Sequence, residues 1–192
     1  QTQHGVAFIP QAIKNGATHL LLPMDYTPPP LPDDIKVAYS NTPRADISDL
    51  AARFYSPQPE HIVAVTGTNG KTSVVDFVYQ ILSLLKHNAA SLGTLGIKTK
   101  SGTENKGMTT LDVIALHQTL QTLAKSGITH AALEASSIGI EQYRMHGVHL
   151  RAAAFTTFSA DHLDYHGTET EYFDAKLRLF SEILPKGRPV VL

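Results

Sequence analysis

Between a short β-branched apolar run, Ile62 to Val65, and a stretch with Val74, Phe77, Val78, Ile81, Leu82 and Leu85 on one helical face lies the segment Thr66-Gly67-Thr68-Asn69-Gly70-Lys71-Thr72. A strand, a glycine turn and an amphipathic helix in that order leave few folds open, because a parallel strand needs a long crossover and a helix is its usual form. The order is also the context of a phosphate-binding loop. Glycines let the backbone curl so that successive N–H groups converge on phosphate oxygens, the helix N-terminus adds positive potential, and Lys71 supplies a mobile cation. The Thr72 hydroxyl can then ligate Mg²⁺. The usual pattern of such loops has glycine where this chain has Val65, so only its second half matches, and a plain glycine turn before a helix with an exposed lysine is the competing reading.

The surrounding pattern divides the chain in two. In the first part, Pro28, Pro29, Pro30 and Pro32 form one cluster and Pro57 and Pro59 another, and proline marks loops or linkers because it fixes φ and lacks a donor. The spacing predicts a short helix over Ala7 to Gly16, strands over His19 to Leu22 and Ile35 to Tyr39, and a helix over Ala45 to Tyr55 with Ile47, Leu50, Ala51 and Phe54 recurring at helical intervals. A boundary is placed near Ser56 to Pro59, giving parts 1–57 and 58–192.

From His61 onward strands alternate with long amphipathic helices. A strand is expected over Ser91 to Lys98, a polar loop over Thr99 to Gly107, a helix capped by Thr110 and running to Ser126 with Asp112 in its first turn, and strands over Ile128 to Ala135 and Ala152 to Phe158. Thr168 and Glu171 have capping-box spacing ahead of a last helix through Phe173, Leu177, Phe180 and Ile183. The fold class is α/β, with a parallel or mostly parallel sheet, flanking helices and a phosphate loop at a strand end. The chain starts at Gln1 rather than Met and closes on Arg188 to Leu192, a strand just beginning, so both ends are expected to be cut.

Composition narrows the partners. Sixteen Lys and Arg against seventeen Asp and Glu leave a formal charge of -1, so no global field draws nucleic acid or a membrane surface. Without cysteine there is no disulfide framework, thiolate metal site or Cys nucleophile, and the cytosol is the expected compartment. No apolar run approaches the roughly 18 residues of a membrane helix.

Two further groups of residues can carry chemistry. Glu134, in Leu133-Glu134-Ala135-Ser136-Ser137, ends a predicted strand, where open parallel sheets place ligands and where a carboxylate can hold a cation against phosphates. Ser136 and Ser137 are turn formers, a helix cap or substrate contacts. Asp161-His162-Leu163-Asp164-Tyr165-His166 concentrates two His and two Asp after a strand, with His162 the favoured metal ligand and His166 left to cap or pack. His4, His61, His87, His117, His130, His146 and His149 read as surface or satisfied core residues. Arg144, between turns at Gly139 and Gly147, is either an anion-binding fork or an exposed side chain, and Lys176 reads as an amphipathic side chain at a core edge next to Leu177.

Taken together, TGTNGKTS, EASSIG, DHLDYHG and AKLRLF resemble the Mur ligase family, of the MurE type that adds the third amino acid to the peptidoglycan precursor. The resemblance covers nearly the whole chain, with HGVAFIPQAIKNGA similar to the end of an N-terminal UDP-binding domain (1–57) and the remainder (58–192) to the first part of the central ATP-binding domain. The C-terminal ligase domain would be absent. It implies that Gly67, Thr68, Asn69, Gly70, Lys71, Thr72 and Ser73 bind ATP, that Thr72 and Glu134 ligate Mg²⁺, and that His162 helps hold a second metal ion. It further implies that Thr109, Thr110, Ser137, Gln142 and Arg144 contact a UDP-N-acetylmuramoyl dipeptide, and that Lys176 is the family's carbamylated lysine.

Ile138 stands where the family usually has His, Leu111 where it has Pro, and Thr157 where it has Asn. The implied reaction phosphorylates a substrate carboxylate and passes the acyl group to an amino acid, meso-diaminopimelate by expectation, with a monomer the default. Folylpolyglutamate and cyanophycin synthetases share the loop and are the near alternatives. A non-catalytic binder of nucleotide and precursor is the distant one.

Overall fold

A computed structural model describes residues 5–105 and 107–192, so His4 lies outside the described residues. The chain forms two compact units, 1–47 and 48–192. In the first, a 3₁₀ turn (Gly5–Phe8) leads into α1 (Ile9–Lys14), and β1 (His19–Pro23) pairs in parallel with β2 (Lys36–Ser40). Ile9, Leu20 and Leu22 form its small core, with Val6, Ile13, Tyr26, Leu31, Ile35 and Val37 packed around them.

Helix α2 (Pro43–Phe54) carries the division between Ile47 and Ser48. Its larger apolar residues face outward, with Leu50 at 53% and Phe54 at 78% exposure, while Ser48, Ala51 and Ala52 are buried. The helical spacing of Ile47, Leu50 and Phe54 therefore marks an exposed stripe rather than a core face.

The second unit is built on a seven-stranded sheet in the order β6-β5-β4-β7-β3-β8-β9. Strands β3 (His61–Thr66), β4 (Ala89–Gly93), β7 (His130–Glu134), β8 (Leu150–Phe155) and β9 (Val190–Val191) run parallel, and β5 (Gly96–Thr99) and β6 (Gly102–Glu104) continue the sheet in antiparallel fashion. The pleat sends alternate residues to opposite faces. Ile62, Ala64, Ala131 and Leu133 pack with Leu116, Leu120, Ile140 and Leu179 on one side, and Val65 and Ala132 pack with Val75 on the other. Helix α3 (Lys71–Leu84) thus covers one face. The opposite face takes α4 (Val113–Lys125), α5 (Ser137–Glu141) and the π-helical turn Leu179–Ile183 that follows α7 (Glu169–Arg178). The short α6 (Leu163–His166) precedes α7.

The α/β expectation holds, with local corrections. The strand expected over Ser91 to Lys98 is two strands, because the chain reverses after Gly93 and returns at Gly96, where φ is +90°. Part of the expected polar loop, Gly102–Glu104, forms the sheet's edge strand. Asp112, not Thr110, caps α4 by accepting from the Ala115 N–H; Thr110 is buried and bonded elsewhere. Gly139 lies inside α5 rather than in a turn, and a Cβ there would meet Thr110 Cγ2 at 2.7 Å. The stripe on α3 splits: Val75 is buried, Val74 and Val78 pack beside it, and Phe77, Ile81 and Leu85 are more than half exposed. Helix α7 begins at the predicted capping box, but its buried residues are Tyr172, Ala175 and Lys176, while Phe173 and Leu177 stay over a third exposed. Among the described residues no helix is long and apolar enough to cross a membrane.

Candidate functional site

Strand β3 has β7 on one side and β8 on the other, so the loop leaving its C-terminal end opens at the point where ligands enter sheets of this kind. The loop is clamped by the end of β8. The Thr68 N–H donates to the Thr157 carbonyl at 2.7 Å, the Asn69 N–H to Thr157 Oγ1 at 3.1 Å, and the Thr156 hydroxyl to the Asn69 carbonyl at 2.5 Å. Thr157, the departure from the family's Asn, is therefore part of the clamp. The Thr68 hydroxyl donates to the Ser159 carbonyl and accepts from the hydroxyl of buried Tyr172 at 3.2 Å. Asn69 and Gly70 stay exposed at the tip, Gly70 adopts φ +83° as it hands over to α3, and Ser73 is exposed in the helix's first turn.

Two ammonium groups converge on this loop. Lys71 Nζ donates to the Gly67 and Thr68 carbonyls at 2.8 Å each, and Lys176 Nζ donates to the same Gly67 oxygen at 2.9 Å while standing 4.2 Å over the Tyr172 ring. Lys176 is 1% exposed, so the core-edge reading is corrected: the residue points inward from α7 and Leu177 points out. Burial, with Lys71's like charge added, lowers the Lys176 amine to about 7 against an opposing pull from Asp161. Burial also lowers Lys71, partly offset by Glu134 and Asp161. Two amines whose hydrogen bonds go to loop carbonyls suit an arriving anion.

Across β7, Glu134 is buried and accepts the Thr72 hydroxyl on Oε2 at 3.0 Å. Thr94, at the turn after β4, gives its N–H to Oε1 at 2.8 Å and its hydroxyl to Oε2 at 3.2 Å. Gly93 makes room for this carboxylate, since a Cβ there would meet Oε1 at 2.1 Å. The Thr94 and Thr109 hydroxyls are 3.0 Å apart, and the Thr110 hydroxyl donates to the Glu134 carbonyl while accepting the Ser136 N–H, both at 3.0 Å. Arg144 gives Nη1 to the Thr110 carbonyl at 2.7 Å and forks Nε and Nη2 onto Gln142 Oε1 at 3.1 and 2.7 Å. Both acceptors of these three bonds are neutral.

The first of the two serines, Ser136, is the N-cap of α5, accepting the Gly139 N–H; Ser137 is buried with its hydroxyl turned to His166. His162 stands apart. Its side chain is half exposed, its backbone takes φ +52°, and its Nε2 lies 3.7 Å from Asp161 Oδ2. Among the described residues no three His, Asp or Glu side chains gather as a metal site. The hard-oxygen set around Glu134 and Thr72 nevertheless fits Mg²⁺, which takes one or two carboxylates and completes its shell with phosphate and water.

The family described as the Mur ligase middle domain matches residues 65–192. The chain belongs to the Mur ligase family. Over 189 residues, 98% of this Mur ligase chain, it is 43% identical to the UDP-N-acetylmuramoyl-L-alanyl-D-glutamate--2,6-diaminopimelate ligase of Brucella melitensis. It is 49% identical over 153 residues, 79% of the chain, to the ligase of the same name from Zymomonas mobilis. It spans 38% of the first of these relatives' length and 32% of the second's. A solved structure of a ligase of that name superposes with a TM-score of 0.78 at 32% identity, covering 91% of this chain and 35% of that one.

The Mur ligase motifs thus bring together Lys71, Thr72, Glu134 and Lys176 with the loop glycines, and link them through Thr110 to Gln142 and Arg144. Thr94, Thr156 and Tyr172 were not singled out from sequence. The Gly93 to Gly96 turn was the available signal for Thr94, since it ends a strand beside the one that Glu134 ends.

Proposed function

We propose that the full-length protein is an ATP-dependent ligase that adds the third amino acid, meso-diaminopimelate, to UDP-N-acetylmuramoyl-L-Ala-D-Glu through an acyl phosphate. The observation that carries this reading is the convergence of Lys71, Lys176, Thr72 and Glu134 on one phosphate loop. The names of the relatives supply the substrate class. In this reading residues 1–57 end a UDP-substrate-binding domain and residues 58–192 begin the ATP-binding domain.

Gly67 to Ser73 cradle the nucleotide phosphates, and Lys71 turns its ammonium from the loop carbonyls to the transferring phosphoryl group as charge develops there. Mg²⁺ held by Thr72 and Glu134 would neutralise phosphate charge. Thr109, Thr110, Ser137, Gln142 and Arg144 hold the dipeptide, with Arg144 bonded to the neutral Thr110 carbonyl and Gln142 amide oxygen and so able to take a substrate carboxylate. A carboxylate oxygen is a poor leaving group, and phosphorylation corrects that before the amine attacks. Lys176 near its neutral point has a large fraction of free amine at neutral pH, the form that adds CO₂, which supports its reading as a carbamylated residue serving, with His162, a second cation.

The test gives the full-length protein Mg-ATP, UDP-muramoyl dipeptide and a mixture of diaminopimelate and lysine, with mass spectrometry of the product. The expected outcome is a mass gain of one diaminopimelate residue. A lysine gain keeps the ligase and changes its amino acid. No gain from folded, nucleotide-bound protein overturns the catalytic reading in favour of a binding module.

A further inference from the structure

Phosphate and metal chemistry leave the buried cluster around His166 without a role. His166, with its side chain 1% exposed, places Nε2 2.9 Å from Ser137 Oγ and Nδ1 2.9 Å from Glu141 Oε2. That carboxylate oxygen is itself buried and accepts no hydrogen bond among the described residues, so the 2.9 Å approach of Nδ1 is its ion-pair contact. A buried carboxylate oxygen is costly unless a donor faces it. This fixes the imidazole: the proton of the neutral ring belongs on Nδ1, toward Glu141, and Nε2 is left as the acceptor for the Ser137 hydroxyl.

The cluster lies where two functional segments meet. Residues 137–144 carry Ser137, Gln142 and Arg144, while α6 directly follows Asp161 and His162. A second tie runs parallel to the first, from Gln142 Nε2 to the Tyr165 hydroxyl at 3.0 Å, and the other end of the Gln142 amide is the oxygen that receives the Arg144 fork. Whatever fixes Ser137 against α6 therefore also fixes where the guanidinium points.

We propose that His166, held against Glu141, is a positioning residue for the acceptor substrate, tying the segment that bears Gln142 and Arg144 to α6 through the Ser137 hydroxyl. The proposal rests on the ligase reading above for the identity of that substrate. The charged and titratable groups facing His166 are Glu141 from α5, Lys176 and Tyr172 from α7, His162 ahead of α6, and Tyr165 on its own helix. Burial holds the ring below the ordinary imidazole range, with Glu141 opposing and Lys176 and His162 adding to the effect. Without the imidazole the buried Ser137 hydroxyl loses its partner, which loosens the tie.

The experiment uses the full-length protein with H166L and H166Q variants. It measures the Kd for UDP-muramoyl dipeptide and for ATP by calorimetry at neutral pH. Glutamine has a donor and an acceptor on one planar group but does not titrate. H166L is expected to weaken dipeptide binding about tenfold, as loss of a buried hydrogen bond implies, while ATP binding changes less than about twofold. H166Q is expected to keep most of the dipeptide affinity. Equal losses for both ligands in H166L, or a loss in H166Q as large as in H166L, overturn the positioning role. ¹⁵N NMR of the His166 ring provides a readout independent of ligand: an Nδ1–H tautomer is expected, and an Nε2–H tautomer overturns the arrangement. Failure of ligation with dipeptide binding intact would refute only the ligase reading, whereas a wild type that binds no dipeptide would refute both.

Discussion

At Gly67 the phosphate loop runs so close to the end of β8 that no side chain fits. A Cβ would lie 2.0 Å from Thr156 Oγ1 and 3.0 Å from the Thr157 backbone, and φ there is +138°, which L side chains rarely adopt. Overpacking of this kind costs about 1–3 kcal/mol before the backbone penalty is added. Gly67→Ala is therefore expected to lower the urea midpoint markedly, and Thr156→Ala in the same chain to recover part of the loss by removing the nearest atom. A Gly67→Ala chain as stable as the wild type would refute the close approach. The glycine, Lys71, Thr72 and Glu134 were legible in sequence because loop and strand-end chemistry is local. Lys176 was legible only as a resemblance, since its neighbour Leu177 suggested a core edge and nothing in one helix tells which of two adjacent residues a distant loop will bury. His166 was undervalued for a similar reason: its partners, Ser137 and Glu141, are remote in the chain.

Elements with one strong period were found at nearly their observed bounds, and those with a hidden reversal were not. The run from Ser91 to Lys98 reads as one strand because its residues suit a sheet throughout, yet the chain turns at Thr94 and Leu95 and pairs with itself. The cost of missing that turn was missing Thr94, which, among the described residues, gives the Glu134 carboxylate two of the three hydrogen bonds it accepts. Helix α3 shows the opposite error. Its apolar residues are spread over more than one face, and Phe77, Ile81, Leu84 and Leu85 are 56–77% exposed while Val75 alone is fully buried. An exposed apolar side chain contributes little to folding, so Ile81→Lys is expected to change stability by less than about 0.5 kcal/mol, read from urea midpoints. Val75→Ala, by contrast, removes core volume packed against Val65 and Ala132. A large loss in Ile81→Lys would mean that this face is covered in the folded chain.

On the scale of the whole molecule, a buried histidine couples the fold to pH. His117 on α4 is fully buried, with Nε2 3.0 Å from the His146 carbonyl, to which the Ser48 hydroxyl also donates at 2.7 Å. Nε2 faces two oxygens, the His146 carbonyl and the Ser48 hydroxyl, so the neutral ring's proton belongs there. Among the described residues Nδ1 is buried with no partner, and a second proton placed there would meet no acceptor. Burial accordingly holds His117 below the ordinary imidazole range, with His149 adding to the effect and the His146 carbonyl and Asp49 opposing it. The sign follows from linkage. As pH falls through about 6.5 the unfolded chain takes up this proton and the folded chain does not, so stability is lost toward acid by up to about 1.4 kcal/mol per pH unit until the folded value is reached. His130 and His166, both also lowered, contribute with the same sign. Urea midpoints at pH 7.5 and 5.5 should therefore differ, and His117→Gln, which can still donate to the His146 carbonyl but cannot titrate, should be less stable at pH 7.5 and lose less between the two. Comparing the two chains cancels the carboxylates and the other histidines they share. An equal loss in both would place the acid sensitivity elsewhere and leave His117 as packing alone.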